Sequence, residues 1–276
     1  MLSIADTRTG RFVEIPSGRR HLLRICVHLP AIGIRVGTVD LRAPLVGDVL
    51  ARTAELRGLQ ALTVLITPDM PHEQGQSLDR AMAVLGIHPP ATVGAHEVTA
   101  TLCAAADVHL LAHGAATQDG VGGVRVDVGQ VSPAPPDGDM PDGAALLTSG
   151  LLDEFAPAGT DPLAVRMLLL GHAHRTPVTV TGAGLTEARL TLRRWRQQVA
   201  DWAQEPSRPI PADVLRQAQA ALADNLGVPV VLDMLRSVAG RADVPAGAKF
   251  ETFAFLDRIL GLDLAREVGH QHPAKP

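Results

Sequence analysis

Apolar and polar positions alternate between strand-type and helix-type patterns in the first part of the chain. Residues 21–29 and 61–67 are short, nearly continuous apolar runs, which are typical of buried strands. Between them, residues 44–57 repeat apolar side chains at helical spacing, and Gly58 follows as a C-cap. A strand, a helix and a strand at this spacing predict a βαβ unit with a parallel sheet.

The next stretch predicts two helices and a small hairpin. The helices are expected over residues 76–86 and 95–113, and turn glycines favour a hairpin over 118–131. A segment rich in Pro, Gly and Asp follows over 129–150, where we expect a domain boundary. The predicted organisation is a domain over 1–130, a linker over 131–150 and a second domain over 151–276.

The second domain has the pattern of a helical bundle. Asp161 followed by Pro162 is a typical helix start. Further helices are expected over about 212–224, 228–240 and 248–265. A longer helix carries an apolar seam with steps of four and three residues, formed by Ala188, Leu192, Trp195, Val199 and Trp202. The predicted fold class is α/β, with an incomplete Rossmann-like parallel sheet domain followed by an all-α helical bundle.

Composition and charge narrow the classes of partner. The 276 residues carry a net charge of −4, which argues against a strongly basic DNA-binding protein. Two cysteines are too few for a disulfide scaffold or a multi-cysteine zinc module. No apolar run is long enough to span a membrane, and the first residues lack a signal-peptide pattern, so we expect a cytoplasmic protein. Lysine occurs only at Lys249 and Lys275.

The first half resembles a known enzyme family at the ends of its predicted strands. The opening stretch leads into a strand containing Cys26, and nine residues later comes Arg35-Val36-Gly37-Thr38. The next strand ends Leu65-Ile66-Thr67-Pro68-Asp69. This order is similar to that of the cysteinyl-tRNA synthetases, class I enzymes with a strand-end cysteine, a His-Ile-Gly-Asn signature and an Asn-Ile-Thr-Asp strand end.

The second half resembles the same family more closely. Residues 161–177, 221–235 and 255–264 are similar, in order and spacing, to its Asp-Pro-Glu-Ala-Leu-Arg segment, its Asp-Asp-Leu-Asn-Thr-Pro junction and the end of its bundle. In that family the helical part packs against tRNA. The resemblance therefore implies tRNA as a candidate partner.

Departures from the family pattern concern the residues that carry its chemistry. Gly37 is kept, but Arg35 takes the place of the first signature histidine. Without lysine before residue 249, the family's Lys-Met-Ser-Lys-Ser loop is absent. The segment expected to hold its other three zinc ligands, and the second half of its sheet, are missing. The resemblance thus leaves ATP as a candidate cofactor, disfavours zinc, and makes Cys26 a vestigial ligand.

Two groups of residues are candidate binding sites. An anion or nucleotide site could lie at the strand ends, although surface and turn roles are equally open for its members: Arg35, Gly37, Thr38, Thr67 and Asp69. A tRNA-phosphate site could lie on one helix, where a solvated basic face is the alternative for its members: Arg189, Arg193, Arg194 and Arg196.

Cysteine and histidine positions have simpler explanations than metal binding. Cys26 and His28 share one face of a strand, but a small buried residue is the more frequent role of such a cysteine, and Cys103 is expected in the core. Helix-end capping is favoured over metal binding for two histidine pairs, His109 with His113 and His172 with His174.

Three hypotheses for function follow. The first is a non-catalytic or repurposed relative of cysteinyl-tRNA synthetase that binds a nucleotide, tRNA or a protein partner. The second is an ATP-dependent ligase that activates cysteine or another carboxylate and transfers it to tRNA or a small amine, as in the mycothiol-pathway ligases that resemble the same family. The third is a structural subunit, as a homodimer or within a synthetase or biosynthetic complex.

Overall fold

A computed structural model describes most of the chain. The described residues are 2–15, 22–30, 41–95, 103, 106–117, 122–133 and 161–270. The strands are β1 (Ser3–Ala5), β2 (Phe12–Glu14), β3 (Leu22–His28), β4 (Gln60–Ile66), β5 (Thr92–Gly94), β6 (Val108–Leu111), β7 (Val124–Asp127), β8 (Val131–Pro133) and β9 (Val178–Val180). The helices are α1 (Arg42–Leu56), α2 (His72–Val84), α3 (Leu163–Leu170), α4 (Gly182–Trp202), α5 (Ala212–Ala223), α6 (Val228–Gly240) and α7 (Ala246–Leu260).

A five-stranded parallel sheet organises the first half. Its order is β5-β4-β3-β6-β7, so the first strand of the sheet lies in the middle and the chain winds outward on both sides. This is the order of a doubly wound, Rossmann-like sheet. The predicted fold class is confirmed. The strands β6 and β7 on the far side of β3 are not expected from the family resemblance.

Most predicted elements of both halves are present. The βαβ unit is confirmed in β3, α1 and β4, and Gly58 follows α1 with a positive φ of 80°. The helix α2 begins four residues earlier than predicted, at His72. The last helix ends at Leu260 rather than near residue 265, because Gly261 takes the left-handed conformation and Asp257 accepts the next free backbone N–H groups.

Two predicted elements are wrong. The helix expected over 95–113 does not reach its predicted end, where the structure has the strand β6; Cys103 is helical, and residues 96–102, 104 and 105 lie outside the described ranges. Instead of a hairpin over 118–131, the strand β7 pairs parallel with β6. All four β6 residues are buried, and a strand buried on both faces is a short apolar run that periodicity alone cannot distinguish from a buried helix.

The predicted linker begins with ordered structure. Its first residues form β8, which pairs parallel with β9 from the helical half. Residues 134–150 lie outside the described ranges, so the division into domains stays a prediction. Among the described helices, none is both long and apolar enough to cross a membrane.

One buried ion pair joins the sheet half to the helical half. Asp48 on α1 and Arg166 on α3 are fully buried, and Arg166 Nη2 donates to Asp48 Oδ2 at 2.6 Å. The same guanidinium donates to the carbonyls of Leu85, Gly86 and Leu260, at 2.9, 3.0 and 2.5 Å. It therefore ties together α1, the end of α2, α3 and the end of α7.

We expect Asp48→Asn to destabilise the protein strongly. Removing one partner of a buried pair leaves an uncompensated charge, which typically costs about 3–5 kcal/mol of unfolding free energy. Urea unfolding of the full chain, followed by circular dichroism, would measure it. The matched control is Asp233→Asn in the exposed pair with Arg236, for which a decrease below about 1 kcal/mol is expected. Equal decreases in both variants would contradict a special role for Asp48.

Candidate functional site

The carboxyl edge of the sheet is the first candidate site. In open parallel sheets, ligands bind where the strand order reverses, which here is between β3 and β6. Thr67 follows β4 at this edge, is buried, and donates its backbone N–H to the carbonyl of Gly94 at 3.0 Å. Asp69 lies two residues further on and is exposed.

The structure places only part of the predicted nucleotide site. Arg35, Gly37 and Thr38 lie outside the described residues. Thr67 and Asp69 do lie at the expected edge, but no contact between them and the other three can be stated. The nucleotide role of all five therefore stays a prediction.

Cys26 and Cys103 form a disulfide bond beneath this edge. Both are buried, as expected, and with Val64, Ile66 and Ala106 they make a small apolar cluster that is separate from the main core. Their pairing is not predicted from the sequence. A disulfide sulfur is not a thiolate, and thiolate is the form that ligates zinc. Cys26 in this bonded state does not fit the zinc site that the family resemblance implies.

A buried pair of histidines lies on the same face of the sheet. His28 Nε2 and His109 Nδ1 are 3.0 Å apart, on the neighbouring strands β3 and β6. Burial lowers the pKa of His109, and the nearby Arg8 lowers it further, against a backbone hydrogen bond that raises it. The helix-end role predicted for His109 together with His113 is wrong, because β6 is a strand. The neutral form of His109 suits a site with little access to water.

The four arginines predicted to contact tRNA divide into two kinds. Arg189, Arg193 and Arg194 are exposed on α4. Arg196 is buried, donates to the carbonyls of Asp263 and Leu262 at 2.9 and 2.7 Å, and forms an ion pair with Asp161. Its guanidinium is thus occupied within the fold, which corrects its placement on a basic surface.

A large groove runs beside α4. Its volume is about 970 Å³, and five arginines but only two carboxylates are among the described residues that line it. Arg189, Arg193 and Arg194 form no ion pair with any described residue. The carboxylate of Asp161 is shared between Arg196 and Arg266. Within the described residues, the groove therefore presents guanidinium groups that no carboxylate neutralises.

The loop after α3 holds histidines of two different kinds. His172 Nδ1 donates to the carbonyl of Leu168 at 3.0 Å, as a helix-end cap would. His174 is buried, and neither of its ring nitrogens has a hydrogen-bond partner among the described residues. Burial lowers the pKa of His174 to about 4, and Arg175 and Arg42 contribute to the same shift. The capping role predicted for His174 is therefore wrong.

Arg42, at the start of α1, is a buried residue that the sequence analysis misses. It has no carboxylate partner among the described residues and donates to the carbonyls of Gly129, Ala173 and Thr176 at 2.8, 2.9 and 2.6 Å. Burial lowers its pKa to about 10. Arg166 lies within a stretch that resembles a family motif, but its role at the junction is not apparent from that motif. The sequence does contain a signal for this role. Arg166 is the one charged residue in the otherwise apolar helix LAVRMLLL, and a charged residue in such a setting is buried only when it is paired.

Part of this chain is similar in sequence to known cysteine ligases. The L-cysteine:1D-myo-inositol 2-amino-2-deoxy-alpha-D-glucopyranoside ligase of Catenulispora acidiphila is 37% identical over 100 residues, or 35% of this chain and 22% of the ligase. The ligase of the same name from Thermobifida fusca is 34% identical over 121 residues, 42% of this chain and 28% of its own. A cysteine–tRNA ligase of Cereibacter sphaeroides is 37% identical over 100 residues, 36% of this chain and 19% of its own.

This chain is related to the cysteinyl-tRNA synthetase family. No family model matches it. The matched region covers between about a fifth and somewhat more than a quarter of these curated relatives. The relationship to cysteine ligases confirms the family resemblance drawn from the sequence, and the activity of the whole relatives does not transfer with it.

We expect His174 to make the stability of this synthetase relative depend on pH. Its pKa in the folded state, about 4, lies below the ordinary histidine value of 6.5, so the unfolded chain binds the proton more readily. Stability is therefore full above about pH 6.5 and falls as the pH drops towards 4, by up to about 3 kcal/mol.

The variant His174→Leu should flatten this dependence, because leucine cannot take up a proton. Urea unfolding between pH 7 and pH 4 would measure the difference. The control is His113→Leu, at an exposed histidine, which should keep the slope of the unaltered protein. An unchanged slope in His174→Leu would show that other groups govern the acid response.

Proposed function

We propose that this chain is a repurposed relative of the cysteine ligases that binds tRNA-type RNA through phosphate contacts along the α4 groove. The proposal rests on the relationship to a family that includes cysteine–tRNA ligases. The observation that carries it is the set of three exposed arginines without ion-pair partners among the described residues. Such groups contribute most of the affinity for a phosphate backbone.

The spacing of the arginines suits an extended anionic chain. Arg189 and Arg193 are four residues apart, so they lie on one face of α4 about 6 Å apart along its axis. Arg194 widens the cationic face by one position. Leu190, 57% exposed in the same groove, offers an apolar contact beside the charges. A guanidinium reads phosphate through two parallel hydrogen bonds, which favours phosphate over a simple anion.

The disulfide supports a repurposed role over cysteine selection through zinc. The strand-end cysteine that the family resemblance makes a metal ligand is bonded to Cys103. In this bonded state the sulfur of Cys26 offers no thiolate for zinc. Binding of RNA along α4 needs neither a metal nor a free thiol.

The double variant Arg193→Ala/Arg194→Ala should weaken RNA binding. At ~0.7 kcal/mol for each exposed arginine–phosphate interaction, removing both arginines reduces affinity about tenfold. The slope of log affinity against log salt concentration should also become shallower, by ~0.7–0.9 for each phosphate that the variant leaves unneutralised. Fluorescence anisotropy with a labelled tRNA transcript, from low to high salt, would measure both effects.

The control for this prediction is Arg208→Ala/Arg216→Ala. It removes the same charge from two exposed arginines that do not line the groove. If both double variants weakened binding equally, the effect would come from net charge and not from the groove. An unaltered protein that does not bind the transcript even at low salt would overturn the proposal.

The second candidate is an ATP-dependent ligase activity. It is favoured by the strand order of the sheet, which creates a ligand crevice between β3 and β6, and by the ligase relatives. ATP would then bind at the carboxyl edge near Thr67 and Asp69. Pairing with a second copy or with a synthetase partner remains a prediction from the sequence.

Amino-acid-dependent exchange between ATP and pyrophosphate decides on the ligase candidate. Under the RNA-binding proposal we expect no exchange with cysteine or any other amino acid, at concentrations where a cysteine–tRNA ligase control is active. Exchange above background would show that adenylation survives without the lysine loop of the family. The next question would then be which acceptor receives the activated carboxylate.

A further inference from the structure

We propose a small-molecule site in this protein, for an organic ammonium ion with a small apolar body. The site is a cavity of about 170 Å³ between α1 and β4. It is separate from the α4 groove, with which it shares no lining residue among those described. The inference does not depend on the proposed function.

The cavity exists because small side chains meet at the interface between helix and sheet. Ala51 on α1 and Ala61 on β4 both line it, where larger side chains would fill the space. Its walls include Val27, Leu65 and Met82, all nearly completely buried. A preformed cavity that combines apolar walls with a few polar groups is typical of a ligand site.

The volume limits the size of the ligand. An engineered cavity of about 150 Å³ in another protein binds benzene. A cavity of about 170 Å³ therefore suits one six-membered ring or a branched chain of similar size. Larger ligands would have to extend into solvent.

One carboxylate at the mouth of the cavity favours a cation. The ionisable lining residues are Asp48, Glu55 and His88, and no lysine or arginine is among the described residues that line the cavity. Asp48 is already paired with Arg166 and Arg52, so Glu55 is the lining carboxylate that a ligand can pair with. Glu55 is exposed, forms no ion pair with a described residue, and lies in the last turn of α1. Carbonyl groups at the end of a helix carry partial negative charge, which adds to that of Glu55. The Glu55 carboxylate and the carbonyl end of α1 both favour an ammonium group at this position.

The cavity lies away from the ligand edge of the sheet. The helix α1 connects two parallel strands, so it runs back from the carboxyl edge, and Glu55 lies near the amino edge. Asp48 belongs both to the cavity wall and to the buried pair with Arg166. A bound ligand would therefore contact the interaction that joins the two halves of the molecule.

Benzylammonium and its neutral analogue benzyl alcohol are suitable probes. Saturation-transfer NMR and calorimetry on the full chain should show saturable binding of both, with benzylammonium the tighter. Glu55→Gln should weaken benzylammonium about two- to fivefold, the range of an exposed charge interaction, and leave benzyl alcohol unchanged. Ala61→Leu should abolish binding of both probes by filling the cavity.

Matched controls and contrary outcomes make the test decisive. Glu73→Gln and Ala83→Leu alter exposed residues of α2 that do not line the cavity, and should bind both probes normally. Absence of saturable benzylammonium binding, or normal binding by Ala61→Leu, would overturn the proposal. If Ala61→Leu does not fold, the test uses the methyl chemical shifts of the unaltered protein. The methyl groups to follow are those of the lining residues Val27, Met82 and Ile87. They should move with benzylammonium, and unmoved shifts would overturn the proposal by placing the binding elsewhere.

Discussion

The buried contact between Asp48 and Arg166 is the constraint on which the arrangement of the two halves depends. The carboxylate accepts from Arg166, from Arg52 Nε at 2.8 Å and from the backbone N–H of His88 at 3.0 Å, so both of its oxygens have hydrogen-bond donors within the fold. A packing of α3 in another register would leave a guanidinium and a carboxylate buried apart. Because that penalty exceeds the net gain of the pair, the contact selects one docking geometry more than it adds stability. At the left-handed Gly261, a Cβ atom would come within 2.8 Å of the Arg166 guanidinium, so this geometry also requires glycine at the end of α7.

Two further buried arginines repeat this solution at other junctions. Arg42 joins α1 to the two loops that precede β8 and β9, and Arg196 joins α4 to the segment after α7. A guanidinium has five donors in a fixed fork and can satisfy several backbone carbonyls at once, which an ammonium cannot do with the same geometry. No lysine occurs before residue 249, and the buried cations at these junctions are all arginines. An arginine-rich helix therefore need not expose all of its arginines on the surface.

The sequence predicted the helical half better than the second part of the sheet, for physical reasons. The seam of α4 is amphipathic, and a helix with one apolar face shows its period directly. The strand β6 is buried on both faces, so its apolar run has no period. The pairing of Cys26 with Cys103 spans 77 residues and depends on the sheet order, which no local pattern reveals. For Arg196 the signal was present: it is four residues after Leu192 and three before Val199, which places it on the buried face of α4.

The division of the α4 arginines links the fold to the candidate binding surface. Arg196 fixes the buried face of α4 through the carbonyls of Leu262 and Asp263, and Trp195 packs edge-on against Phe253 of α7. The exposed arginines are therefore presented from a helix that cannot rotate about its own axis. Ligand contacts made from a fixed helix cost less conformational entropy than contacts made from a loop. The same side-chain type thus has two roles one turn apart: Arg196 holds the helix in place from within, and the outer arginines stay without ion-pair partners among the described residues.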